Sequence, residues 1–287
     1  MPQLTAICRA LDLVEERLTQ EITVADMAAA ASYSLYHFSR TFNQVVHHTP
    51  YDYLMRRRLS ESARELLETD KKIIDVALAY GFNNPETYSR AFKRMFGTQP
   101  SQWKERAEPD ERLLLPRLTR DYLQHIHQGD YLRPLLKEMG ALHLAGVMTL
   151  VEEDPAIVPQ LWELLARELE RVGEMPFGRP AYGVAWYPGG WARRDFLYMA
   201  AVEAASLEVA GSALVLKRIA PLRCARFIHK GSRQDLSYSR RYIYQTWLPR
   251  SGERLAYPLE IEVHGRDWAA CTDGVAASQW ELYIPLD

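Results

Sequence analysis

An internal repeat near the start of the chain limits its fold more than any other feature. The segment VADMAAAASYSLYHFSRTF (24–42) returns as IDVALAYGFNNPETYSRAF (74–92). Asp26 matches Asp75, Tyr33 matches Phe82, Ser39 matches Ser89, Arg40 matches Arg90 and Phe42 matches Phe92. The offset is 49 before the turn and 50 after it, so the second copy holds one extra turn residue. Each copy reads as a helix, a tight turn and a second helix. In the first, Val24, Met27 and Ala28 make an apolar face, and Ser34 caps the next helix. Phe38 and Phe42 then lie four apart and face inward. In the second, Gly81 supplies the turn, Asn84 the N-cap and Pro85 the first helical position. Tyr88 and Phe92 repeat the inward pair.

The residues left on the outer faces are Tyr36, Ser39 and Arg40 in one copy, and Glu86, Ser89, Arg90, Lys93 and Arg94 in the other. Side chains of these types contact base edges and phosphates of duplex DNA. A helix expected over 51–67 joins the copies and carries Arg56, Arg57 and Arg58. An arginine triplet alone is ordinarily a solvated face; two copies with Ser-Arg in the same place give it weight. At 1.5 Å per residue the joining helix spans about 25 Å. That suits two units on neighbouring major-groove turns, about 34 Å apart. Arg57, Lys93 and Arg94 are expected on phosphates, the other six on bases.

Bulk charge does not make the case. The net charge is −2, and residues 1–107 hold 14 basic and 13 acidic side chains. The placement of charge has to carry the argument. Three scattered cysteines, Cys8, Cys224 and Cys271, form neither a disulfide framework nor a zinc site and suit a reducing compartment. The N-terminal segment carries Asp12, Glu15 and Glu16 within its apolar pattern, so it reads as an amphipathic helix, not a signal peptide. No apolar run reaches the roughly 20 residues of a membrane span. A cytoplasmic protein without metal or cofactor, and without a membrane partner, is expected.

After Trp103 the texture changes. The polar stretch 108–112 suits a domain boundary, and strand-like segments follow at 142–151, 182–187, 196–203, 223–229, 259–264 and 280–285. Helical patterns at 157–172 and 236–248 interrupt them. The reading is multidomain: an all-α double helix-turn-helix domain over 1–107, a linker or lead-in over 108–140, and an α+β domain with an antiparallel sheet over 141–287.

The segment IIDVALAYGFNNPETYSRAFKRMFGTQPSQWK (73–104), with its closing Phe96-Gly97-x-x-Pro100-x-x-Trp103, resembles the DNA-binding domain of AraC/XylS regulators. The resemblance covers residues 6–104. It implies double-stranded DNA and RNA polymerase as partners. Two positions depart from the family pattern: Ser32 stands where glycine is usual in the first turn, and Glu86 occupies a base-reading position. The second domain is similar to GyrI-like effector-binding domains through ARFIHKGS (225–232), YQTWL (244–248) and WELYIPL (280–286), which implies a small-molecule effector.

Strand alternation sends Glu281 and Tyr283 to one face and Trp280, Leu282 and Ile284 to the other. A carboxylate beside aromatic rings suits a cationic, stacking ligand. The resemblance also places the corresponding glutamate of GyrI-like domains toward the ligand. Glu281 with Tyr187, Tyr198, Phe227, Trp268 and Tyr283 is therefore the expected effector site. The alternative is a GyrI-like binder or hydrolase with the helical domain in a secondary role. In that case His229, Glu281 and Tyr198 would serve as base and orienters. No nucleophile elbow, metal constellation or phosphate loop supports catalysis, so the chain is not expected to be an enzyme.

Overall fold

The computed structural model describes residues 2–106, 112–127, 133–152, 157–176, 178–188, 195–204, 212–233, 235–268 and 278–287. Cys271 and the polar stretch 108–111 lie outside them. Two compact units emerge: Met1–Gln128 with Arg241–Pro249, and Gly129–Arg240 with Arg250–Asp287.

Among the described residues the first unit holds helices and no strands: α1 (Pro2–Glu16), α2 (Val24–Ala30), α3 (Leu35–Val46), α4 (Pro50–Glu68), α5 (Ile73–Ala79), α6 (Pro85–Phe96), α7 (Pro100–Lys104) and α8 (Arg120–His127). Its starts are written in side-chain chemistry. Thr23 and Asp26 form a reciprocal capping box on α2, Ser34 caps α3, and Asn84 accepts from the Glu86 amide ahead of Pro85 on α6. The turns repeat as well. Ser32 at φ 59° and Gly81 at φ 78° occupy equivalent left-handed positions, as do His47 at φ 58° and Gly97 at φ 72°. The second copy uses glycine twice where the first makes side chains tolerate the left-handed region.

Phe38, Phe42, Tyr88 and Phe92 are fully buried, as expected. Trp103 closes the second half by packing on Phe92 and Phe96 at 5.7 and 4.8 Å and donating to the Ala63 carbonyl at 3.0 Å.

The expected domain limits need revision. Helix α8 belongs to the first unit, where Tyr122, Leu123 and Ile126 are buried along one face. The segment 236–248 was expected as one helix of the second domain. It comprises α10 (Leu236–Arg241), a π-helical stretch Tyr242–Trp247 and α11 (Leu248–Ser251), and residues 241–249 fall in the first unit. Within that unit Gln245 donates to the Leu114 carbonyl at 2.7 Å, and Thr246 Oγ1 lies 3.1 Å from His48 Nε2.

The second unit is built on an eight-stranded sheet with α9 (Ile157–Arg171) on one face. Its strands are β1 (Leu135–Met139), β2 (Leu142–Val151), β3 (Ala181–Trp186), β4 (Phe196–Glu203), β5 (Val215–Ile219), β6 (Leu222–Gly231), β7 (Leu259–His264) and β8 (Ser278–Pro285). Their order is β1-β6-β8-β7-β3-β4-β2-β5, antiparallel between all neighbours. Exchanging β1–β4 with β5–β8 leaves that order unchanged, so the unit is a duplication in which each half lends its first strand to the other half's edge. These two lent strands, LLKEM and VLKRI, escaped the sequence reading. Each buries only its last residue, and their charged, exposed surfaces suit sheet edges.

Candidate DNA interface and effector site

Helices α3 and α6 present the expected DNA face. Tyr36 is 79% exposed, Arg40, Glu86, Arg90, Lys93 and Arg94 are exposed, and Ser39 and Ser89 are half-buried at the foot of the face. Each of four positions in α6 lies 50 residues after its counterpart in α3: 36 and 86, 39 and 89, 40 and 90, 43 and 93. Arg40, Arg90, Lys93 and Arg94 enter no ion pair among the described residues, so their charges are available.

Arg57 is not at that face. It is 3% exposed, forks onto both oxygens of Glu15 at 2.8 and 2.6 Å, and reaches Glu61 at 2.8 Å and the Leu115 carbonyl at 2.6 Å. The cause is helical spacing: Arg57 follows the fully buried Tyr53 by four residues and shares its inward face. Arg58 is also buried, donating to the Leu18 and Gln20 carbonyls at 2.9 and 2.6 Å. Two members of the triplet are therefore internal braces.

In the second unit the expected effector residues separate onto two faces. Tyr283, Glu281 and Arg226 share the face away from α9. There Arg226 pairs directly with Glu281, and the Tyr283 hydroxyl donates to it at 2.6 Å. The Arg226 guanidinium holds the Glu281 carboxyl below its ordinary range. Burial, then the adjacent Glu281 carboxylate, push the Tyr283 phenol up to about 12. Tyr198, Phe227 and Trp268 lie on the other side and are buried. Phe227 stands opposite Leu282, which stands opposite Glu262, and this registers it with the α9 face. Tyr187 packs on Phe196 at 5.3 Å and lines an apolar recess of about 350 Å³ with Met148, Trp186, Leu197, Tyr257 and Leu259. Glu281 is thus already neutralised, and a sheet separates it from Tyr198, Phe227 and Trp268.

The buried carboxylate among aromatics is Glu262, which the sequence reading missed. It is 2% exposed. It accepts from Tyr198 at 3.0 Å, and Tyr198 in turn accepts from Trp162 Nε1 at 3.2 Å. His264 Nε2 lies 3.1 Å away, and Arg233 and Arg240 approach at 3.3 and 3.2 Å. Arg240 also binds Glu260 at 2.7 Å. Burial would raise the Glu262 pKa, but Arg233, the His264 hydrogen bond and Arg240 outweigh it, so the carboxyl is held far below its ordinary range. Burial pushes His264 downward from its ordinary 6.5, which favours the neutral ring.

The rings of Trp162, Trp268 and Trp280 surround this network: Trp162 is 4.7 Å from His264 and 5.4 Å from Trp268, and Trp280 stacks on His264 at 5.3 Å. The indole N–H groups of Trp268 and Trp280 are buried without an acceptor among the described residues. His229, the candidate base of the hydrolase reading, lies 2.8 Å from Ser239 Oγ and 3.1 Å from the Ser232 carbonyl. Tyr198 is engaged by Glu262, and Glu281 sits on the opposite face, so that triad is not assembled.

A helix-turn-helix domain family matches residues 27–106. The transcriptional regulator Rob of Salmonella typhimurium is 38% identical over 95 residues, 33% of this chain and 33% of Rob. The regulatory protein SoxS of Escherichia coli K12 is 34% identical over 93 residues, 32% of this chain and 87% of SoxS. The chain belongs to the AraC/XylS family of transcriptional regulators. The match spans about a third of the length of Rob and most of that of SoxS. An AraC-type regulator structure from Chromobacterium violaceum is 24% identical with a TM-score of 0.34, covering 35% of this chain and 89% of that one. The family of integron-associated effector binding proteins matches residues 136–286, over half of the chain, which therefore belongs to that family too.

For an AraC/XylS member the helix-turn-helix residues were legible because their spacing repeats. Glu262 was not. In β7, Glu260, Glu262 and His264 alternate with Leu259, Ile261 and Val263, which reads as a strand with one wet face. The strand instead occupies the middle of an eight-stranded sheet, where its polar face is buried and must be paired. No helix among the described residues is long and apolar enough to cross a membrane.

Proposed function

We propose that this AraC/XylS member is a sequence-specific duplex-DNA-binding transcription regulator whose second unit senses a small aromatic cation. The observation that carries the DNA reading is the matched exposed faces of α3 and α6, with Arg40 and Arg90 at equivalent places and outside any ion pair among the described residues. Two such units joined by the 19-residue α4 suit neighbouring turns of one major groove without a second chain. RNA polymerase is the partner this role implies.

The test is anisotropy titration against a selected duplex and unrelated duplexes over a range of salt. Tighter binding to the selected duplex, weakening linearly in log salt, is expected. Arg40→Ala should cost about 1–3 kcal/mol and relax preference at one base pair. Equal affinity for all duplexes would overturn sequence reading, and a uniform loss would move Arg40 to a phosphate.

The effector reading rests on Glu262, a carboxylate inside an aromatic surround, which is the environment that binds organic cations. It replaces Glu281 in that role. Tryptophan fluorescence of the full chain, titrated with benzamidinium and with benzoate, checks it. Saturable binding of the cation that Glu262→Gln abolishes is expected, and benzoate binding alone would overturn the sign of the ligand.

A further inference from the structure

The Glu262 surround already holds a cation. The Arg233 guanidinium lies 3.3 Å from Glu262 and 5.9 Å from the ring centres of both Trp162 and Trp280. It is the arrangement an aromatic cage makes with a free organic cation: charge against carboxylate, with ring faces on either side. Arg240 is differently placed. It spans Glu260 and Glu262 through Nε and a terminal nitrogen at 2.7 and 3.2 Å, tying β7 to α10. Arg233 comes from the turn between β6 and α10, is about a third exposed along its side chain, and pairs with Glu262. The local charges on Glu260, Glu262, Arg233 and Arg240 therefore cancel while His264 is neutral.

We infer that Arg233 is a tethered stand-in for the effector and sets the specificity of the site. An incoming cation takes the place of its guanidinium against Glu262, and the Arg233 side chain swings out toward solvent. This rests on the effector reading above. A monocation in the same place leaves the site neutral, whereas an anion, or a neutral molecule that left Arg233 out, would strand charge in a buried environment. The two indole N–H groups of Trp268 and Trp280 add a second demand. An effector that also offers hydrogen-bond acceptors relieves donors that the described residues leave unmet. Because bound ligand and the Arg233 guanidinium exclude each other, effector binding is coupled to displacement of that side chain from Glu262.

The experiment is competition by side-chain removal, done on the full chain. In Arg233→Ala the tethered competitor is gone, and benzamidinium should bind at least tenfold tighter than to wild type. Free guanidinium at low millimolar concentration should compete with it, where potassium chloride of equal ionic strength does not. Arg233→Gln keeps most of the stem and should give the same direction if Arg233→Ala folds poorly. Arg233→Ala with Glu262→Gln removes the carboxylate and should bind neither cation, while circular dichroism confirms the fold.

Equal affinity in wild type and both Arg233 variants, with Glu262→Gln still abolishing binding, would overturn the stand-in and leave the effector reading intact. Weaker binding in the Arg233 variants would make Arg233 part of the site's support, again overturning the inference. No cation binding by any variant would overturn both.

Discussion

Gly183 in β3 stands directly opposite Glu262 in β7, and a Cβ at position 183 would lie 2.9 Å from Glu262 Oε2 and 2.2 Å from the Tyr198 hydroxyl. The missing side chain is the space in which the Tyr198–Glu262 hydrogen bond forms. Gly183→Ala should therefore destabilise the protein by about 1–3 kcal/mol, as overpacked cores do, and weaken cation binding with it. Urea unfolding and the benzamidinium titration check this; an unchanged midpoint together with unchanged affinity would show that the pair has room to move.

His264 gives a pH dependence with a definite sign. Burial depresses its pKa in the folded protein below the ordinary 6.5, so the unfolded chain takes up its proton first. Stability should fall as pH drops through about 6.5 toward the folded value, by up to about 1.4 kcal/mol for each pH unit between the two. Glu262, also depressed when folded, adds a loss of the same sign below its ordinary 4.5. Melting temperature against pH should show the upper step in wild type and not in His264→Gln.

Arg57 should matter to folding rather than to DNA. Its guanidinium is buried against Glu15, with Glu61 and the Leu115 carbonyl completing the contacts. Arg57→Ala leaves the Glu15 carboxylate uncompensated and should cost about 3–5 kcal/mol. At a temperature where the variant is folded, the salt dependence of DNA binding should be that of wild type. A slope reduced by about one contact would return Arg57 to the phosphate backbone.

The first turn of the repeat carries strain that the second avoids. Ser32 holds φ 59° with a side chain, and Ser32→Gly should stabilise the first unit by about 1 kcal/mol. Gly81→Ala should do the reverse and more. It forces a side chain to φ 78° and sets a Cβ 2.8 Å from the Arg58 guanidinium. Chemical denaturation of the two variants should move in opposite directions.

Glu281→Gln separates the two sheet faces. The side chain is paired with Arg226 on the face away from α9, so cation binding at Glu262 should be unchanged, with stability lower by less than about 1 kcal/mol for a part-exposed pair. Loss of binding in this variant would restore the site expected from sequence.

The helices within residues 1–107 and six of the eight strands were legible because they rest on local rules, whereas α8 falls in the stretch read as a linker. Caps at Ser34 and Asn84, the turn glycine at 81, and aromatic residues spaced by one helical turn state their roles within a few residues. The direction of Glu281 and Tyr283 along β8 was equally local, since alternation determines which side chains share a face.

What tertiary structure alone decided was which face, and which partner. Glu281 and Tyr198 were assigned to one site because both are polar groups among aromatics, yet no local rule says that the strands carrying them present them to opposite sides of the sheet. Arg57 looked free because its acceptors, Glu15 and the Leu115 carbonyl, come from 42 and 58 residues away. Glu262 gave no signal because β7 is amphipathic when read alone, and only its central position in a duplicated sheet turns that polar stripe inward. Periodicity sets the direction of a side chain relative to its own element. Its environment depends on strand order and packing between elements distant in sequence, and for Arg233 and Glu262 that environment is the proposed site.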